Sequence, residues 1–242
     1  MTHARKVELS ASEDRLEQLI TERLRPGADK AQIDERIWDL FGEEWAVMFT
    51  DLVGFSNGVS SFGIIHFLQV IHESHRLLIP CIDRHDGILL KIEGDSLMVI
   101  FRKVDKAIDC ACEMQRLCQE YTADCEPAEQ LALGVGLGFG RLLRIGDRDV
   151  FGGEVNAAAK LGEDIAAAHE ILVTGAVRDA AGAGRAFEAI AKVPPGASSA
   201  FRLLRTGAVR DAAGPGRAFE AISQIPPGAS SAFRLLRTGA SG

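Results

Sequence analysis

Asp51 closes the apolar run AVMFT (46–50), and Asp95 follows Gly94 where two further apolar runs, ILLKIEG and DSLMVIF, are broken. A buried carboxylate without a partner is strongly disfavoured, so acids this close to buried strands need a reason. Two carboxylates on neighbouring strand ends can converge on hard divalent cations, which take oxygen ligands. Gly94 permits close backbone approach. The segment LVGFS after Asp51, with Gly54 and Phe55, offers loop amides suited to phosphate oxygens. Plain structural roles fit the same pattern, with Asp95 as a hairpin-turn residue and Asp51 as a cap of the next helix. Asn156 and Lys160 lie four apart in a helical pattern and share one face. An amide and a cation placed so suit the stabilisation of a developing negative charge, and equally a solvated helix face. Lys91 interrupts the apolar run ILLKIEG, where it either donates to a heterocycle nitrogen or snorkels from a sheet edge. Asp149 sits in the polar loop GDRD.

Strands and helices alternate around these residues. WAVMFTDL reads as a buried strand and residues 60–85 as a long helix. The runs at 88–94 and 95–101 read as a hairpin broken at Gly94. VDKAIDCACEMQRLCQEY is a second helix, with Cys110 and Cys118 on its apolar stripe as small hydrophobes. LALGVGLGFGRLLRIG returns to strand, EVNAAAKLGEDIAAAH is a third helix, and EILVTGAV a further strand. The order predicts an α+β fold with helices on one face of a mainly antiparallel sheet. The histidines at 66, 72, 75 and 85 lack an HExxH pattern and are expected at the surface. Residues 1–43 carry two short amphipathic helical stripes and form a separate N-terminal segment ahead of a main domain at 44–205.

Residues 174–205 recur at 206–237 and differ at four positions, Ala183/Pro215, Ala191/Ser223, Lys192/Gln224 and Val193/Ile225. Two units are too few for a solenoid. Each copy carries a candidate hairpin, and the first is expected in the sheet, with the second a C-terminal extension at 206–242.

The 242 residues are 47% apolar and 25% charged, close to the globular average, which excludes wholesale disorder. A net charge of −7 leaves non-specific nucleic-acid binding without an electrostatic footprint. Five cysteines form no CxxC pair, consistent with reduced thiols in a cytoplasm. No apolar run approaches the roughly 18 residues of a membrane span, and the N-terminal stretch lacks a signal-peptide core. A soluble, cytoplasmic protein without membrane partners is expected.

Together these segments resemble the catalytic domain of class III nucleotide cyclases, the adenylate and guanylate cyclase family. FTDLVGFS (49–56), KIEGD (91–95) and DVFGGEVNAAAKL (149–161) carry the resemblance, in order. It implies a ferredoxin-like (βαββαβ-derived) antiparallel sheet with helices packed on it. It also implies that Asp51 and Asp95 hold two Mg²⁺ or Mn²⁺ ions and that ATP is cyclised to cyclic AMP with release of pyrophosphate. Lys91 and Asp149 would read the base, Asn156 would orient the ribose, and Lys160 would meet charge at the α-phosphate. Gly54 and Phe55 would lie in the phosphate loop. Arg141, in GFGRLL, resembles a family arginine that contacts the triphosphate. One catalytic domain per chain implies a homodimer with two equivalent sites. Two departures stand out: Lys160 replaces the usual arginine, and VPPGASSAFRLL lacks a lysine that some members place there. Guanylate cyclase, or a catalytically weak nucleotide-binding or dimerisation module of the same fold, are the alternatives.

Overall fold

A computed structural model describes residues 11–54, 63–123, 125–126 and 129–204, and the short strands 219–221 and 233–235. Strand β1 (Gly42–Leu52) is buried on both faces: Ala46 and Met48 point into one core, Trp45 and Val47 into another. A strand apolar on both faces belongs in the middle of a sheet. It pairs antiparallel with β3 (Ser96–Phe101) on one side and with β4 (Leu133–Ile145) on the other. With β2 (Ile88–Glu93), β5 (Asp149–Phe151), β6 (Ile171–Thr174), β7 (Ala186–Ala189) and β8 (Ala200–Leu204), these form an eight-stranded sheet. Its order is β2-β3-β1-β4-β6-β8-β7, with β5 paired to β4 and the β4–β6 pair parallel.

Two long helices cover one face. Helix α3 (Ile64–Arg84) contributes Val70, Leu78, Cys81 and Ile82, and α4 (Val104–Ala123) contributes Ala107, Ile108, Cys110, Ala111, Met114 and Cys118. Cys110 and Cys118 are fully buried, as the helical stripe predicts.

The opposite face depends on the glycines of β4. Successive strand residues alternate sides, so Gly134, Gly136 and Gly138 line one face while Leu133, Val135 and Leu137 enter the main core. On the bare face lies α5 (Gly153–Ala159), continued by a π-helical turn (Lys160–Ile165). A Cβ at position 136 would sit 2.2 Å from the Ala158 carbonyl oxygen, and one at 138 would sit 2.3 Å from that of Glu154. Helices therefore occupy both faces, where the sequence pattern suggested one. The third helix ends at Ile165, and the strand expected over 170–177 gives way after Thr174 to the short helix α6 (Gly175–Ala180).

At the N-terminus α1 (Ala11–Arg23) and α2 (Lys30–Phe41) bury Leu19, Ile33, Ile37 and Phe41 together with Ile145 of β4. The Asp29 carboxylate accepts from the Gln32 amide at 3.1 Å and caps α2.

The first repeat copy supplies β7 and β8 to the sheet edge. In the second, β9 (Phe219–Ala221) and β10 (Phe233–Leu235) pair as a separate two-stranded sheet. The register is retained: Phe187 faces Leu203 in one copy, and Phe219 faces Leu235 in the other. The copy directly connected to β6 takes the edge because seating the other would leave the first as a long excluded loop, at an entropic cost.

Candidate active site

Antiparallel pairing of β1 with β3 brings the end of one strand beside the start of the other, with Thr50 opposite Leu97. Asp51 thereby meets Ser96 and Asp95. The Ser96 hydroxyl donates to Asp51 Oδ1 at 3.1 Å, and the Leu52 amide donates to Asp95 Oδ2 at 3.2 Å. Gly94 takes φ 63°, which turns the chain tightly enough to present Asp95 at this end. Burial pushes the Asp51 carboxyl above the usual carboxylate range, and the negative charge of Asp95 pushes it further.

A β-bulge aims Lys91. Leu89 faces Val99, but Lys91, not Leu90, faces Met98. In a regular ladder Lys91 would point to the side of the two long helices; the extra residue turns it to the opposite face. There it forms an ion pair with Asp149, which β5 presents next to Ile145 of β4. Both side chains keep about a third of their surface exposed, 37% for Lys91 and 34% for Asp149. Asn156 and Lys160 lie exposed on α5 and at the start of the π-turn. The Lys160 ammonium is held by Asp164 at 2.5 Å, and its pKa is raised by that contact.

Gly54 ends the described part of this loop, and Phe55 lies outside the described residues. Arg141 lies apart from the two aspartates of its own chain. Register places Gly134 opposite Asp51 and Arg141 opposite Glu44, so Arg141 lies near the other end of β1. The rise of about 3.3 Å per strand residue puts roughly 20 Å between the two positions. Its guanidinium lies 4.8 Å from the Trp38 ring centroid and donates to the Trp38 carbonyl oxygen at 3.3 Å. Within its own chain it packs the N-terminal helices and does not approach the aspartates.

Gly162, Glu163 and Asp164 escaped the sequence reading, and His75, expected at the surface, is half-buried. Gly162 lies so close to β1 that a Cβ there would be 2.7 Å from the Phe49 carbonyl oxygen. This contact lays the π-turn against the aspartate end and brings Glu163 near Asp51. The Glu163 carboxyl is pushed up by partial burial and then by the Asp51 charge. His75 of α3 faces the Gly94 backbone behind the turn, and burial lowers its pKa. Asp164 was readable, since it stands four residues after Lys160 on a helical pattern. The placement of Gly162, Glu163 and His75 depends on long-range packing, which has no local signal. His85 also differs from expectation: it is mostly buried, 2.6 Å from Glu113.

Among the described residues no helix is long and apolar enough to cross a membrane. A serine/threonine-protein kinase, pkn2 of Myxococcus xanthus, is 29% identical over 131 residues, which are 54% of this chain and 16% of that protein. The chain spans between 16% and 25% of the length of the curated relatives it matches. Among solved structures, an adenylate/guanylate cyclase/hydrolase from Silicibacter pomeroyi superposes with a TM-score of 0.55 at 22% identity, covering 68% of this chain and 98% of that one. A bacterial light-regulated adenylyl cyclase superposes with a TM-score of 0.59 at 19% identity, covering 78% and 61%. Both likenesses concern the fold. The family described as "Adenylate and Guanylate cyclase catalytic domain" matches residues 42–192, from the first residue of β1 to beyond β7. With that match over the segment that builds the site, the chain belongs to the adenylate and guanylate cyclase catalytic-domain family.

Proposed function

We propose that this chain is an adenylate cyclase that converts ATP to 3′,5′-cyclic AMP and pyrophosphate at a site shared by two copies. The observation that carries the reading is the pair Asp51 and Asp95. Among the described residues its contacts are a hydroxyl, a backbone amide and one another, which leaves two carboxylates for a cation to balance. Such a donor set fits two hard ions, Mg²⁺ or Mn²⁺. When bound, the ions supply Lewis-acid stabilisation to the attacking ribose oxygen and the triphosphate.

The side chains of the protein account for recognition. Lys91 donates to adenine N1, and Asp149 accepts from the 6-amino group. In the free protein the two satisfy each other, so base binding exchanges one ion pair for two directed hydrogen bonds. Asn156 orients the ribose, and Lys160 leaves Asp164 to meet charge on the α-phosphate. The ribose 3′-oxygen bonds to the α-phosphorus as the bond from that phosphorus to the pyrophosphate oxygen breaks, and the 3′-hydroxyl proton passes to water. A homodimer sets the aspartates of one copy against the base readers of the other and yields two equivalent sites.

A low-turnover variant of this reading rests on one contact. Lys160 is a point charge already tied to Asp164, where a planar arginine fork could hold two phosphate oxygens. Assays with ATP and GTP, each with Mg²⁺ and Mn²⁺, separate the readings. Cyclic AMP formation from ATP is expected. A preference for GTP of about tenfold or more would reassign the substrate, and tight binding without turnover would favour the non-catalytic module.

A further inference from the structure

On the side of the sheet covered by the long helices, the seam between α3 and α4 gathers a second set of ligand-type groups. Cys81 and His85 stand four apart at the end of α3, and Cys110 and Glu113 stand three apart on α4. Both spacings put each pair on one helical face. Among the described residues, Cys81 Sγ, a His85 ring nitrogen and a Glu113 carboxylate oxygen form the one group of three such donors within 4.8 Å of one another. Cys110 lies outside that group of three, its sulfur 3.8 Å from that of Cys81, and has to swing toward His85 and Glu113 to serve as a fourth ligand.

We propose that Cys81, Cys110, His85 and Glu113 form a site for a borderline transition-metal ion, Zn²⁺ foremost. Zinc takes tetrahedral sulfur and nitrogen ligands with Zn–S bonds of about 2.3 Å, so two thiolates on one ion stand about 3.8 Å apart. The two sulfurs already have that separation. The His85 and Glu113 atoms, now 2.6 Å apart, need to open by roughly 0.7–1 Å to take adjacent corners of a tetrahedron with bonds of about 2.0–2.2 Å. Both thiols are fully buried, and His85 and Glu113 keep 18% and 23% of their side-chain surface exposed, which gives an entry path from the helix surface. Binding releases both thiol protons to solvent. Two thiolates and a carboxylate exceed the ion's charge by one. Arg84, whose guanidinium donates to Glu113 Oε1 at 2.8 Å, is placed to offset it. Hard ions prefer the oxygen-only pair at Asp51 and Asp95, so ligand softness separates the two sites. A bound ion would tie α3 to α4 just before β2, the strand that carries Lys91.

The test uses the full-length chain carrying Asp51→Asn and Asp95→Asn, titrated with Co²⁺ and then Zn²⁺. One Co²⁺ per chain is expected, with thiolate-to-cobalt charge-transfer absorption and tetrahedral ligand-field bands, both removed by Zn²⁺. Cys81→Ser should abolish the charge-transfer band or leave only that of a single thiolate. His85→Ala and Glu113→Gln, both at the rim, should each weaken Co²⁺ binding at least about tenfold; if Cys81→Ser fails to fold, these two decide. Absence of thiolate absorption in the parent chain overturns the proposal, as does unchanged affinity in both rim variants, and the cluster is then an ion-pair network alone.

Discussion

The two ends of β1 carry acidic residues in opposite circumstances. At the start of the strand, Glu43 is matched within the chain: Arg102 donates to its carboxylate at 2.6 Å and stacks 3.7 Å from the Trp45 ring centroid. Arg141 and Trp38 close the same end with a second cation–ring contact. At the finish, Asp51 and Asp95 face each other, and among the described residues a hydroxyl and an amide donate to them; Asp51 is held above its usual pKa. Among the described residues, Glu43 has an ion-pair partner at one end, whereas Asp51 and Asp95 have none at the other. On the proposed reading, that asymmetry separates a charge that serves packing from a charge kept for chemistry, although both look alike in sequence.

The sharpest way to break the comparison is to neutralise the open end. Asp51→Asn or Asp95→Asn should each lower cyclase turnover at least about a hundredfold. The same changes should raise the thermal midpoint of the metal-free protein, because they relieve repulsion. A midpoint that falls would mean the pair is already compensated. Next in size is Gly162→Ala. Its Cβ would press on the β1 backbone and push the π-turn off the sheet, costing about 2–3 kcal/mol, read by denaturant unfolding.

At the closed end the effects shrink. Arg141→Ala should cost about 0.5–1 kcal/mol of stability through the lost ring contact while leaving the KM for ATP near its original value. A large rise in KM would return Arg141 to the triphosphate. The smallest effect concerns Asp34 and Glu22, both held below their ordinary pKa by hydrogen bonds from Arg23 and Arg36. Their contribution to the helical hairpin is complete above the unfolded carboxylate pKa and is lost as pH falls through the lowered folded values. Acid titration followed by circular dichroism should detect slight loosening of α1 and α2 at the low end of the carboxylate range and none at neutral pH.

Much of the fold was legible because it rests on short-range pattern. The run at 45–52, the helix stripe that buries Cys110 and Cys118, and the Gly94 break between two strands each carry a local signal. Lys91 was noticed for its position in an apolar run, but the bulge that turns it toward Asp149 is a property of pairing with β3. The glycines of LGVGLGFG were read as strand without their purpose, which is to admit α5 and the π-turn at backbone distance. The histidine at 85 was assigned to the surface because its partner is on another helix.

By itself, the sequence determined the order of the elements, the identity of the acids at strand ends and the repeat whose two hairpins share one register. Those follow from side-chain period, turn chemistry and near-identity of the copies. Tertiary structure decided which acids meet at one strand end, which face Lys91 reaches, what Arg141 packs against in its own chain and which copy holds the sheet edge. Each of these depends on contacts between residues far apart in the chain, and no local propensity encodes a distance.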